Sequence, residues 1–247
     1  MPTNSHPYFL VTAVPGPGPF LLDGPEGRHA AAVRRMRVGE RLVLTDGAGT
    51  TAVASVIAVA KSELTVEVGP VELTAEAGPR VVIVQALPKG DRSDLAVDLV
   101  TEAGADGIIP WSASRCVARW TADKAVKGVA KWQTVAREAA KQSRRARVPQ
   151  VHDLHTTKDL LTVIDQAELA LVLHEAEATP LTGITFPAAG DVVLIIGPEG
   201  GIAPEELTAF RAAGAVPVRL GHEVLRTSTA GAVALGAIGA LTGRWHG

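Results

Sequence analysis

A single cysteine, Cys116, stands in a chain of 247 residues. No disulfide can close within the chain, and no Cys/His cluster has the spacing of a zinc site, so no metal is expected. Cys116 reads more simply as a small buried apolar residue than as a reactive thiol. The chain lacks a basic segment ahead of its first apolar stretch, Tyr8–Val14, which Pro15 cuts short. No secretory signal is therefore expected. Its longest late apolar run, Ala230–Leu241, is too short and too rich in glycine to cross a bilayer. A soluble, cytoplasmic protein with no membrane partner is the expectation. Two nucleotide signatures are missing as well. No Gly-Lys-Ser/Thr follows a glycine-rich loop, and no Gly-x-Gly-x-x-Gly opens a helix. These absences disfavour a phosphate-cradling nucleotide site and a dinucleotide-dependent oxidoreductase.

Hydrophobic residues make up 47% of the chain, enough to bury a substantial core without covalent staples. The formal net charge is −2, but its distribution is uneven. Ten Lys/Arg and only two Asp/Glu fall between Arg115 and Arg147, which leaves the remainder acidic. A polyanion-facing segment on an acidic body fits that pattern. Its dense end holds Lys141, Arg144, Arg145 and Arg147; Lys89, Arg92, Arg34 and Arg35 are scattered further candidates for phosphate contacts. A solvated helix face is the plainer account of the same charges.

The first 72 residues read as mostly β. Arg41–Leu44, Ala52–Val59 and Leu64–Val68 are short β-branched runs, with a hairpin signal at Asp46-Gly47 and one helix over Glu26–Met36. The spacing predicts a small barrel over residues 1–72, a linker over 73–79, and a second domain over 80–247. There the pattern alternates strand and helix. Strands are predicted at Val81–Val84, Gly107–Trp111, Leu169–Leu173, Val192–Ile196 and Val216–Leu220. Helices are predicted at Asp94–Ala103 with Ser93 as N-cap, at Ala122–Arg144, at Pro204–Ala213, and at Thr227–Leu241 capped by Thr227 or Ser228. The alternation implies an α/β domain with a parallel sheet covered on both faces.

Two loops of ligand type follow strands in that domain. Ile196-Gly197-Pro198-Glu199-Gly200-Gly201 lets backbone amides approach a ligand closely, because glycine has no Cβ. Glu199 is available to a positive or proton-bearing group. Leu220-Gly221-His222-Glu223-Val224-Leu225-Arg226-Thr227-Ser228-Thr229-Ala230 places one strong base, Arg226, ahead of a Thr-Ser-Thr run. Together they suggest one site built by the last third of the chain. A tight turn and an ordinary capped helix are the structural alternatives.

Taken in order, Ala86–Arg92, Thr101-Glu102-Ala103-Gly104, Glu138–Ser143, Ile196–Gly201 and Leu225–Ala230 resemble the motifs of the ribosomal RNA small-subunit methyltransferase E family, over nearly the whole chain. The resemblance implies a PUA-like RNA-binding β-barrel followed by a SPOUT domain. That domain would have a parallel sheet and a deep C-terminal trefoil knot, an exception to unknotted topology. It implies a homodimer that methylates N3 of a uridine in 16S ribosomal RNA of the small subunit, with S-adenosylmethionine held in the knot. Carried over, the cofactor loops are Leu173-His174-Glu175, Ile196–Gly201 and Leu220–Ala230. Within the last, Leu220, Gly221, Leu225, Arg226, Thr227, Ser228 and Ala230 would face the ligand. Arg226 would stabilise the anion that forms on uracil, and Glu199 and Glu102 are the candidate proton acceptors. Family members commonly begin with an Arg-Phe-Phe-type sequence; here His6-Pro7-Tyr8-Phe9 stands instead. A non-catalytic RNA-binding assembly factor, or a methyltransferase of this fold acting on another RNA, would share most of these features.

Overall fold

The computed structural model describes residues 6–75 and 78–245, and the chain divides into two compact units. The first comprises residues 1–75 together with Ala140–Val148. It holds strands β1 (Tyr8–Leu10) and β2 (Gly18–Leu22), helix α1 (Gly24–Arg28) continued by a π-type turn over His29–Val33, and strands β3 (Arg41–Thr45), β4 (Thr50–Val59) and β5 (Leu64–Leu73). The five strands form one sheet in the order β1-β3-β4-β5-β2, with β1 parallel to β3 and the other pairs antiparallel. Burial alternates along β4, where Ala52, Ala54 and Val56 point inward. They meet Phe9, Leu42, Leu44, Leu64, Val66 and Val68 in one core. The predicted strands and helix are present; β1 and β2 were not predicted, because three and five residues around prolines carry little periodicity.

The domain boundary differs from a contiguous cut. β5 runs through Leu73 into the expected linker, and Ala140–Val148 joins the first unit. The Thr45 hydroxyl and the Gly49 amide both donate to the Ala146 carbonyl, and the Val148 amide donates to Gly47.

The second unit comprises Glu76–Ala139 and Pro149–Gly247. Its elements are β6 (Arg80–Ala86), α2 (Arg92–Glu102), β7 (Gly107–Trp111), α3 (Ala122–Gln142, whose last turn belongs to the first unit), β8 (Gln150–Val151), α4 (Thr157–Gln166), β9 (Leu169–Leu173), β10 (Asp191–Ile196), α5 (Pro204–Ala212), β11 (Val216–Val218) and α6 (Thr227–Leu241). The six strands pair in parallel, in the order β11-β9-β10-β6-β7-β8. β6 and β10 are nearly all apolar and buried, as strands covered on both faces must be.

Helix α6 packs against α2, β6 and β10. Gly231 makes this possible: a Cβ there would stand 2.7 Å from Ile196 Cδ1 and from Val100 Cγ1. The buried Gln85 side chain ties β6 to the start of α6, donating to the carbonyls of Ala86 at 3.0 Å and Thr227 at 3.4 Å. Two expected caps are corrected. Asp91, not Ser93, occupies the N-cap of α2, and Ser93 instead accepts the Trp132 indole N–H at 2.8 Å. Arg226 occupies the N-cap of α6, so Thr227 and Ser228 fall inside the helix, buried. Helix α4 was not predicted, although Thr156 and Asp159 cap it reciprocally and give it a readable start.

Candidate functional site

In open parallel sheets, ligands bind at the carboxyl ends of the strands, where strand order reverses. Here β9, β10 and β11 are neighbours, and the loops leaving their carboxyl ends enclose a cavity of about 320 Å³. Leu173, His174 and Glu175 come from the end of β9; Ile196, Gly197, Pro198, Glu199, Gly201 and Ile202 from β10 and the turn after it. Leu220, Gly221, Leu225, Arg226, Thr227 and Ala230 come from the segment after β11 and the start of α6. Residues of three loops far apart in sequence thus share one wall.

Local chemistry shapes the turn after β10. Gly201 takes φ +71° and its amide closes a hydrogen bond to Pro198; a side chain at that φ would be strained. At Gly197 a Cβ would lie 2.7 Å from Ile202 Cγ1, so the chain can double back only over a bare α-carbon. Helix α5 then starts at Pro204, and Glu206 accepts the Ala203 amide at 3.2 Å.

Two of the residues expected to touch a cofactor stand elsewhere. Gly200 faces Arg115, whose guanidinium donates to its carbonyl at 3.3 Å. Ser228 is buried within α6 and does not line the cavity. Glu102 is the last residue of α2 and is exposed. Arg92, at the first turn of that helix, lies on the cavity wall, about 15 Å away along the axis at 1.5 Å per residue. Glu102 is therefore no candidate proton acceptor for this cavity. Glu199 does line it, with Oε1 accepting the Lys89 amide at 3.2 Å.

Sequence reasoning missed Ile202 and Arg219 on the wall, left Glu223 and Val224 out of the ligand-facing residues of their loop, and placed Arg92 only among RNA contacts. Arg219, one residue past β11, could have been found from its position at a strand's carboxyl end. The cations of the wall are thus Arg92, Arg219 and Arg226, and its carboxylates are Glu175, Glu199 and Glu223. His174 Nδ1 accepts the Ala176 amide at 3.3 Å. Because a backbone N–H can only donate, Nε2 is the nitrogen that carries a proton.

Cys116 does not line the cavity, and burial pushes its thiol up from its ordinary value, which suits a packed residue and not a nucleophile. No group of three His, Cys, Asp or Glu among the described residues could hold a metal ion, and no described helix is long and apolar enough to cross a membrane.

The basic candidates separate into two kinds. Lys141 pairs with Glu26 at 2.9 Å, with side chains only 8% and 15% exposed. The Arg147 guanidinium donates to the carbonyls of Ala48 and, at 2.9 Å, Thr74. Both side chains hold the first unit together, which corrects their reading as phosphate contacts. Arg34, Arg35 and Arg144 are exposed in the first unit, where Arg145 is half-buried. Lys89 and Arg92 are exposed in the second.

Residues 76–239 match the family model described as an RNA methyltransferase domain, and residues 22–69 match that of an RNA methyltransferase PUA domain, which sets the class of the protein. A relative from Mycobacterium bovis, named ribosomal RNA small subunit methyltransferase E, is 48% identical over 242 residues, 96% of this chain and 92% of the relative. One of the same name from Bacillus subtilis is 32% identical, covering 89% of each chain. The crystal structure of a ribosomal RNA small subunit methyltransferase E from Neisseria gonorrhoeae, bound to S-adenosyl methionine, matches with a TM-score of 0.85 at 28% identity, over 96% of this chain and 98% of that one. The chain belongs to the ribosomal RNA small subunit methyltransferase E family.

Proposed function

We propose that the protein transfers a methyl group from S-adenosylmethionine to N3 of a uridine in 16S ribosomal RNA of the small subunit. The observation that carries this reading is the cavity into which the loops after β9, β10 and β11 converge. Its residues fit the cofactor. Leu173, Ile196, Ile202, Leu220, Val224 and Leu225 offer apolar walls to an adenine ring, and Gly197, Gly201 and Gly221 leave main-chain atoms open to it. Glu175 and Glu223 balance its positive charge. When bound, the cofactor supplies an electrophilic methyl carbon on its sulfonium.

The remaining work falls to the chain. Holding uridine N3 in line supplies about 7–11 kcal/mol at best. Arg226, exposed at the N-cap of α6 and on the wall, offers its charge to the negative charge that grows on the uracil carbonyls as N3 loses its proton. Of the wall carboxylates Glu175, Glu199 and Glu223, one accepts that proton.

Residues 80–247 are read as a knotted SPOUT domain and residues 1–72 as a PUA-like RNA-binding barrel. The threading is supported by residues 179–181, which exchange backbone hydrogen bonds with Arg219 at 2.8 and 2.9 Å before the chain returns to β10. A homodimer is supported by the exposed apolar residues Val233 and Leu241 on α6 and Trp245 just beyond it.

The deciding experiment incubates the protein with methyl-labelled S-adenosylmethionine and small subunits lacking the modification, followed by nucleoside mass spectrometry. Label in 3-methyluridine is expected. Label in another nucleoside would move the reaction to a different atom. No label, and no thermal stabilisation by the cofactor, would favour a non-catalytic RNA binder, since a ligand of the folded state must raise its stability.

A further inference from the structure

The glycine turn after β10 is held by the loops that follow β6, its neighbour in the sheet, and β7, the strand beyond. The Lys89 amide, beyond β6, donates to Glu199 Oε1 at 3.2 Å. Arg115, beyond β7, donates to the Gly200 carbonyl at 3.3 Å. Three residues past Lys89, Arg92 opens α2 and stands exposed on the cavity wall. The loop between them turns at Gly90, with φ +62°, and the N-cap residue Asp91 makes no side-chain cap hydrogen bond. The first turn of α2 therefore lacks the usual local anchor. The Glu199 contact instead ties down the loop ahead of it, from the neighbouring strand β10.

We infer that Glu199 is a positioning residue: its carboxylate holds the 87–92 loop against the glycine turn, so that Arg92 stands at the cavity mouth as the cation meeting an RNA phosphate. This rests on the methyl-transfer reading of the cavity. The carboxylate oxygen that accepts the Lys89 amide is committed to the main chain, which makes Glu199 a fixture of the wall. A guanidinium at a cavity mouth offers the planar, forked donors that a phosphate accepts best. A glutamine carries the same carbonyl acceptor but cannot take up a proton as a carboxylate does. The two substitutions Glu199→Gln and Glu199→Ala therefore separate a latch from a base.

The test measures methyl transfer by Glu199→Gln, Glu199→Ala, Arg92→Ala and the double variant Glu199→Ala/Arg92→Ala, across pH and salt. The two alanine variants are each expected to raise the RNA KM about five- to tenfold with kcat and cofactor affinity little changed, and the double variant to be no worse than Arg92→Ala alone, as for residues acting as a unit. Removing Arg92 should also lower the salt slope of RNA binding by about one. Glu199→Gln should recover most of what Glu199→Ala loses and keep the wild-type pH profile. A glutamine variant as impaired as the alanine one, additive losses in the double variant, or lost cofactor affinity in Arg92→Ala would each overturn the inference. Hydrogen exchange of the 87–92 peptide in the free protein tests the latch without turnover. Faster exchange in Glu199→Ala but not in Glu199→Gln is expected, and wild-type exchange in Glu199→Ala overturns the latch. A wild-type protein that methylates nothing would instead remove the methyl-transfer reading, with the exchange result still legible.

Discussion

Glu206 Oε1 accepts the Ser114 amide at 2.8 Å, joining the first turn of α5 to the loop after β7. The carboxylate is only 6% exposed and takes two further donors, the Thr157 hydroxyl at 2.8 Å and the Ala203 amide at 3.2 Å. Three segments beneath the glycine turn thus meet on one buried side chain. Glu206→Ala strands those donors, at about 1–3 kcal/mol for each group left without water or partner. A fall in Tm of roughly 6–12 °C is expected for a loss near 3 kcal/mol, and calorimetry checks it. An unchanged Tm would show that water replaces the carboxylate at no cost.

Arg226→Ala should lower kcat for methyl transfer about 10²-fold, the usual loss when one group stabilising a developing oxyanion is removed. Cofactor affinity, followed by titration calorimetry, should change far less. Equal losses in both would place Arg226 in cofactor binding alone.

Gly231→Ala inserts a methyl group where Ile196 Cδ1 and Val100 Cγ1 already lie 2.7 Å away. Overpacking of this kind costs about 1–3 kcal/mol. Because Ile196 also lines the cavity, cofactor affinity should fall together with stability. A variant that loses Tm but binds the cofactor normally would show that the strain relaxes toward α2 instead.

Charge changes in the basic segment should divide by environment. Reversing Arg144 and Arg145 should weaken RNA binding and reduce its salt slope by about one for each phosphate no longer neutralised. Lys141→Met removes the partner of a nearly buried Glu26, a change that costs about 3–5 kcal/mol when a buried pair is broken. Its effect should therefore be seen in Tm before it is seen in affinity. An unaltered salt slope in the first pair would return those residues to a solvated face.

Asp159 offers a pH test of the α4 cap. Hydrogen bonds from the backbone and side chain of Thr156 hold its carboxyl below the ordinary value of 3.8. A depressed carboxylate adds stability that is present above its unfolded pKa and is lost as pH falls through the folded one. The cap should stay intact at pH 5 and fray only below about pH 3.8. Carbon-detected NMR titration of the side chain follows it, and a midpoint at or above 3.8 would refute the cap's contribution.

Much of this protein was legible along the chain. Hydrophobic runs of the right length located β7 and β9 at their observed bounds, because a strand buried on both faces must be apolar throughout, and the longer Ala/Gly-rich run after Arg226 located α6. The glycine turn and the Leu220–Ala230 segment stood out because a glycine-rich turn and a lone strong base each follow a predicted strand. The two-residue strand β8 carried no periodicity to read.

Local sequence alone could determine the alternation of elements and the chemistry each loop carries. Tertiary structure decided what each charge does. Lys141 and Arg147 look like any other cation of the basic run in one dimension, yet both are engaged inside the first unit. It also decided that Gly200 turns toward Arg115, that Glu102 lies at the far end of its helix, and that Arg92 and Arg219 reach the cavity. Each of these depends on strand order and helix phase, which long-range packing sets and which no neighbouring residue encodes.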